Sequence, residues 1–278
     1  MKAFVKINTF DDIYTLSNAD AFIVANKNVS YRYHDSFNLD MIRKIKRYCT
    51  KNNKGLYVLI NKIFFEDELS SLDNYIKKVI SIGIDGIFFA DFSVFVIASK
   101  YGFADRCYFC HETFLRNSKD IETYQQLGIK NIICSKDMNI NDIEHLDENK
   151  KDTYGVLCFG YIPLYESKRK ILTNYKKQYN IDVNIDNFDL FLKEDTRDNR
   201  YRILEQNGTT SIFHDKVLSY LKYVDRLEKH IDIFIFDCLF FDSLFVNEVI
   251  SYYKEKKINM LDDDKYDSIF LDMEVGLI

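Results

Sequence analysis

The chain of 278 residues has a single proline, Pro163, no surplus of positive charge, no long apolar run and no secretory pattern of cysteines. Each absence narrows what it can be. The scarcity of proline goes with an abundance of Lys, Asn, Ile, Asp, Phe and Tyr, a bias of the kind an AT-rich genome imposes, to which no function attaches. A net charge of −5 excludes a protein that coats nucleic acid indiscriminately, because such affinity comes from neutralising phosphates with surplus Lys and Arg. A local basic patch stays open. The opening MKAFVKINTF has no apolar stretch of signal-peptide length, and nowhere do about 18 uncharged apolar residues run together as a spanning helix requires. The expected location is cytoplasmic, with no membrane contact. Six cysteines without secretory features fit reduced thiols, so no disulfide is expected.

What is present is a repeat. Short apolar runs at residues 3–7, 21–25, 56–60, 86–90, 107–110, 131–134, 155–159 and 231–236 are each followed by polar turn residues, mostly with a helical stretch beyond. Strands apolar on both faces and separated by helices imply a parallel sheet covered on both sides. Eight such units predict an α/β fold, a TIM-type (β/α)8 barrel, for which about 250 residues suffice. An open doubly wound sheet is the alternative. Residues 39–48 show the helical pattern well, with Leu39, Ile42, Ile45 and Cys49 opposite Arg43, Lys44, Lys46 and Arg47. Further helices are expected at 69–82, 121–127, 217–227 and 245–253, the first two of these stopped by Gly83 and Gly128.

The repeat breaks once, at about 170–214. A charged helix, possible strands at 188–192 and 201–204, and an Asn207-Gly208 turn read as a small α+β insertion between the seventh and eighth strands of one 1–278 domain. It should cap the C-terminal mouth of the barrel, where barrel enzymes keep their sites.

Three stretches resemble peptidase family U32, the collagenase-like proteases. HETFLRNSKDIETYQQLGIKNIICSKDMNINDI does so through Asn117, Gly128, Ser135, Lys136 and Asp137. YGVLCFGYIPLYESKRK does so through Gly160, Pro163, Leu164, Ser167 and Arg169, and the third stretch is YRILEQNGTTSIFHDKVLSYLKYVDRL. Looser likeness extends upstream through NVSYRYHDSFNLDMI and IDGIFFADFSVF. Lys136 and Asp137 stand where the family often has Arg and Glu. Many members hold a [4Fe-4S] cluster on four cysteines, and two of those places here look like Lys170 and Ser219, with no cysteine between them. The resemblance implies a barrel active in RNA modification more than in proteolysis, similar to the short, cluster-free subunit of a pair that hydroxylates the wobble uridine of transfer RNA. It implies a longer cysteine-containing U32 paralogue as the source of the cluster, transfer RNA as a partner, and a small carboxylate donor such as prephenate. This chain is expected to bind no metal or cofactor itself.

Several constellations have both a chemical and a plain reading. Cys107, Cys110 and His111 imitate a metal motif, but strand residues three apart point to opposite faces. Cys110, Cys134, Cys158 and Cys238 come near the ends of four successive strands and could converge on a ligand; equally, cysteine is a small residue suited to burial. Arg169 with Ser167, Lys168 and Lys170 follows the seventh strand, where barrels often hold phosphate, and the lysines read equally as a solvated loop. Asp91, Glu112, Asn117, Lys136, Asp137 and Asp237 lie just beyond strand runs, as site residues do in this fold, although Asn117 or Ser118 could simply cap a helix. Arg32 is a phosphate contact or an ion-pair partner for Asp35. The expected catalytic set is Arg169, Lys136, Asp137 and Glu112; the expected substrate-binding set is Arg32, Asp91, Asn117, Ser167 and Asp237.

Hydrolytic signatures are missing. His111-Glu112 is followed by Leu115 where a zinc protease needs its second histidine, and no Gly-x-Ser-x-Gly elbow occurs. Cys110 with His111 or His214 is the remaining thiol-protease pair, and adjacent strand residues face opposite ways. A true peptidase and a catalytically silent binding subunit remain the alternatives.

Overall fold

Runs such as AFIVA at Ala21–Ala25, where all five residues are buried, require cover on both faces of a sheet. The computed structural model, which describes residues 1–111, 114–146, 152–196, 198–261, 263–269 and 271–272, supplies it with an inner core and an outer ring of helices. The first part of the chain runs β1 (Lys2–Lys6), α1 (Asp12–Thr15), β2 (Ala21–Ala25), α2 (Leu39–Lys51), β3 (Gly55–Ile60), α3 (Leu69–Ile82), β4 (Gly86–Phe89) and α4 (Phe92–Lys100). It continues through β5 (Cys107–Phe109), α5 (Ser118–Gln126), β6 (Asn131–Ile133), α6 (Ile140–His145) and β7 (Thr153–Gly160). Then come β8 (Pro163–Ser167), α7 (Ile171–Tyr179), β9 (Phe191–Lys193), β10 (Arg200–Gln206) and β11 (Thr209–Phe213). The last part is β12 (Val217–Ser219), α8 (Val224–Leu227), β13 (Ile233–Asp237), α9 (Ser243–Glu255) and β14 (Tyr266–Asp267).

Strands β1 to β7 pair in parallel in chain order, and β13 pairs in parallel with both β7 and β1, which closes the sheet. The chain is thus a TIM-type barrel of eight parallel strands, and the open-sheet alternative falls. Inside the barrel, Phe4 and Tyr57 pack at 4.6 Å, Tyr57 and Tyr108 at 5.4 Å, and Phe88 stacks on Tyr108 at 5.0 Å. Such a ring layer needs small residues between the large ones, and Ala21, Gly55 and Gly86 provide them.

The helices follow local rules. Asn38 caps α2 by accepting from the amides of Asp40 and Met41, and the buried stripe is Ile42, Ile45 and Cys49. Gly83, at φ 83°, ends α3 in the left-handed conformation that glycine adopts without strain. Among the described residues no helix is long and apolar enough to cross a membrane.

The insertion is a four-stranded antiparallel sheet, ordered β8-β11-β10-β9, with α7 alongside. Its edge strand Pro163–Ser167 starts upstream of residue 170, because β8 pairs with β11 rather than serving as a linker. Asn207 (φ 52°) and Gly208 (φ 77°) turn β10 into β11, as the dipeptide requires. Residues 217–227 do not form the expected helix. Val217, Leu218 and Ser219 are buried as β12, antiparallel to the end of β7 and parallel to β14, so sheet pairing overrides helical periodicity and only Val224–Leu227 stays α-helical.

Gly86 tests the interior packing. A Cβ there would lie 2.8 Å from the Arg106 carbonyl oxygen and 2.8 Å from each of the Tyr57 and Tyr108 rings. The backbone oxygen cannot swing aside, so Gly86→Ala should destabilise the barrel by about 1–3 kcal/mol. Thermal unfolding followed by circular dichroism should show a midpoint lowered by roughly 3–10 °C.

Candidate functional site

All eight barrel strands deliver their C-terminal ends to one mouth, and a cavity of about 310 Å³ opens there. Its floor is apolar: Ile23, Leu59, Phe88, Ile133, Leu157 and Ile235. Above the floor the wall is charged. Lys6 and Asp237 are register partners on β1 and β13, and their side chains meet at 2.5 Å with only 11% and 13% exposure. The Lys6 ammonium also donates to the Arg32 carbonyl at 2.8 Å. Arg32 stands at φ 55°, a left-handed conformation uncommon for a side-chain-bearing residue, and its guanidinium donates to Glu166 of β8. Lys136 reaches the Pro163 carbonyl from the loop after β6. Three cations therefore face the cavity against the two carboxylates Asp237 and Glu166, with Asn61, Ser135, His111 and Tyr161 as further polar lining.

The insertion covers this mouth and contributes to its wall through Pro163, Glu166 and Phe213. Arg202 pins it down: its guanidinium carbon lies 5.1 Å from the Tyr161 ring, 4.7 Å from Phe191 and 4.8 Å from Phe240. At the hairpin tip, Gln206 donates to the Tyr33 carbonyl at 2.8 Å and Asn207 to the Lys27 carbonyl at 2.7 Å.

Of the residues singled out in the sequence, Arg32, Lys136 and Asp237 line the cavity together. Arg32 pairs with Glu166 and not with Asp35, which instead meets His34. Asp91 and Asn117 serve as helix caps: Asp91 accepts from the amides of Ser93 and Phe64, Asn117 from those of Lys119 and Asp120. Asp137 pairs with Arg116 outside the cavity lining. Ser167 pairs with Thr210 in the insertion sheet, and Arg169 is exposed beyond β8. Glu112 lies outside the described residues. Lys6 and Glu166 were missed. Lys6 had a legible signal, a charge in the inward phase of Phe4 at the C-terminal end of β1, whereas nothing local marks Glu166.

The four strand-end cysteines do not all converge. Cys110 and Cys134 both line the cavity, Cys134 while buried in the outer core, whereas Cys158 and Cys238 lie in the layer between strands and helices away from it. Burial pushes the Cys134 thiol up to about 12 and raises those of Cys158 and Cys238 well above the ordinary range. Because β5 ends at Phe109, strand alternation no longer governs the next two residues, and Cys110 and His111 both line the cavity. This corrects the expectation that they face opposite ways. Among the described residues no group of three or more His, Cys, Asp or Glu is placed to hold a metal ion.

The chain is a closed (β/α)8 barrel whose candidate site is a charged, apolar-floored cavity at the C-terminal mouth, the place where barrel proteins keep their sites. The chain belongs to peptidase family U32, whose model matches residues 11–274. It is 24% identical over 244 residues to the tRNA hydroxylation protein P2 of Bacillus subtilis (strain 168), covering 86% of this chain and 79% of that protein. To the tRNA hydroxylation protein P of Helicobacter pylori (strain J99) it is 22% identical over 205 residues, 70% of this chain and 48% of that protein, so it spans about half of the longer relative. The solved structure of the U32 peptidase Mk0906 superposes with a TM-score of 0.54 at 13% identity, over 85% of this chain and 92% of the other, which supports the fold.

The two places that the family resemblance assigns to cluster cysteines do not fit a [4Fe-4S] group. Lys170 is an exposed ammonium preceding α7, and Ser219 is a buried hydroxyl 3.4 Å from that of Tyr253. Neither can supply a thiolate.

Thiol reactivity reads the split of the cysteines. The thiolate is the nucleophile, and burial holds the Cys49, Cys107 and Cys134 thiols up to about 12. At pH 8 the folded protein should take up one equivalent of a small maleimide, at half-buried Cys110, and Cys110→Ser should take up none before unfolding. Intact-mass spectra showing several adducts on the folded protein would contradict the burial.

Proposed function

We propose that this chain is a cluster-free component of a transfer-RNA wobble-uridine hydroxylation system. It works in the cytoplasm beside a longer, cysteine-containing U32 paralogue that supplies the [4Fe-4S] cluster, and its own mouth cavity takes a small carboxylate donor such as prephenate. One observation carries the reading: Lys6, Arg32 and Lys136 converge over an apolar floor in a chain that has tRNA hydroxylation proteins P2 and P among its relatives. Guanidinium and ammonium groups at the wall suit a carboxylate, and the floor suits an apolar carbon frame. Asp237 and Glu166 hold Lys6 and Arg32 in place before the ligand arrives. The cations are thus oriented in advance, which lowers the ordering cost of binding. Arg169, Asp137, Asn117, Asp91 and Ser167 act outside the cavity, as RNA contacts or as supports of the loops.

The test is nucleoside mass spectrometry on bulk transfer RNA from a strain lacking this chain and any redundant hydroxylation route. Wobble 5-hydroxyuridine derivatives should fall at least about tenfold, and Arg32→Met or Lys136→Met should restore them only weakly, as expected when a charge-assisted contact of about 1.5–3 kcal/mol is lost. Undiminished derivatives in the deletion strain overturn the reading. A peptidase is the second reading, because Cys110 and His111 share the cavity wall. Casein cleavage by the purified chain that disappears in both Cys110→Ser and His111→Ala would establish it in place of the first.

A further inference from the structure

A second concavity, of about 530 Å³, lies on the outer rim between the loops after β2 and β3 and the start of α3. Lys27, Lys62 and Lys78 line it against one carboxylate, Glu68, a local positive excess on a chain of net charge −5. Glu68 is spent on Lys62, whereas Lys27 and Lys78 are exposed and make no ion pair among the described residues. Ser71 and Asn74 add neutral polar groups to its wall.

The partition between groove and central cavity is the segment after β3. Asn61 and Ile63 line the cavity while Lys62 lines the groove. Next along this segment, Phe65 is 62% exposed, and the Lys168 ammonium sits 4.1 Å from its ring centroid. Lysines in a groove beside an exposed ring are the two parts a single-stranded nucleic acid needs, point charges for phosphates and a flat face for a base. An acidic protein segment would use the lysines and leave the ring unexplained.

We propose that this groove seats backbone phosphates of a single-stranded RNA segment, that a neighbouring base stacks on Phe65, and that the strand is thereby led to the mouth of the central cavity. This rests on the transfer-RNA reading above and adds the path of the strand.

The experiment is fluorescence anisotropy of a short, unstructured, fluorescein-labelled RNA oligonucleotide with the full chain, across a salt series. Wild type should bind, and Lys27→Glu with Lys78→Glu should weaken binding at least about tenfold. The double variant should also flatten the log-log salt slope by about 1.4, since each single-strand phosphate contact contributes roughly 0.7. Phe65→Ala should weaken binding about tenfold, with the slope unchanged, because stacking carries no counterion release. Lys44→Glu with Lys51→Glu on α2 removes as much charge elsewhere and should cost far less.

No binding by wild type, unchanged affinity in the groove variants, or equal weakening by the α2 pair each overturns the proposal. So does a groove variant that keeps its RNA affinity but no longer co-purifies with the longer paralogue, which would make the surface a protein interface. These outcomes leave the nucleoside result untouched. Lost hydroxylation with groove-independent RNA binding removes the path alone, and intact hydroxylation with groove-dependent binding removes the hydroxylation reading alone.

Discussion

Parallel pairing of β7 with β13 is the contact on which everything else in this molecule depends. It aligns Gly155 with Ile233, Val156 with Phe234 and Leu157 with Ile235, and it joins strands between which the whole insertion and one further short strand, β12, intervene. Closing so long a loop costs less than its length suggests, since the entropy grows only with the logarithm of the number of residues. The intervening chain is itself folded, which lowers the cost further. Gly155 permits the close approach: a Cβ there would lie 2.6 Å from the end of Ile133 and 3.2 Å from the Ile233 carbonyl oxygen. Once β13 is seated it also pairs with β1, and only then does Asp237 come beside Lys6.

The mouth inherits its character from that closure and from the insertion laid over it. Strand ends alone would supply Lys6, Asp237 and the loop cations, and Glu166 and Phe213 arrive from the added sheet. The aromatic cage around Arg202 ties this sheet to the loop after β13 through Phe240, itself held at φ 72°. Leu204, Phe213 and Leu239 form a small satellite core beneath it. Cavity and cap are therefore coupled by packing, and a change at the cage should be felt at Glu166 and hence at Arg32.

The family label of peptidase and the chemistry of the site pull in different directions. Five of the six thiols are buried, and the most nearly accessible one, Cys110, donates towards the Phe89 carbonyl at 3.3 Å. What dominates the mouth is a set of three cations and two carboxylates over an apolar floor, with no metal-hydrolase arrangement among its described lining residues.

Reading the sequence alone determined the elements whose causes are local. Apolar runs located all eight barrel strands, helical spacing located Ile42, Ile45 and Cys49 on one face, and Gly83 and Asn207-Gly208 marked a helix end and a hairpin. Even the plain reading of Asn117 as a cap rests on amides two and three residues away. Only the tertiary structure decided that 217–219 is a strand, that Arg32 meets Glu166, that Arg169 stands outside the cavity, and that Cys110 and His111 share its wall. The reason is range. Periodicity, caps and turns act over a few positions, while Arg32 and Glu166 are 134 positions apart and Lys6 and Asp237 are 231, so their meeting depends on the register in which the barrel closes.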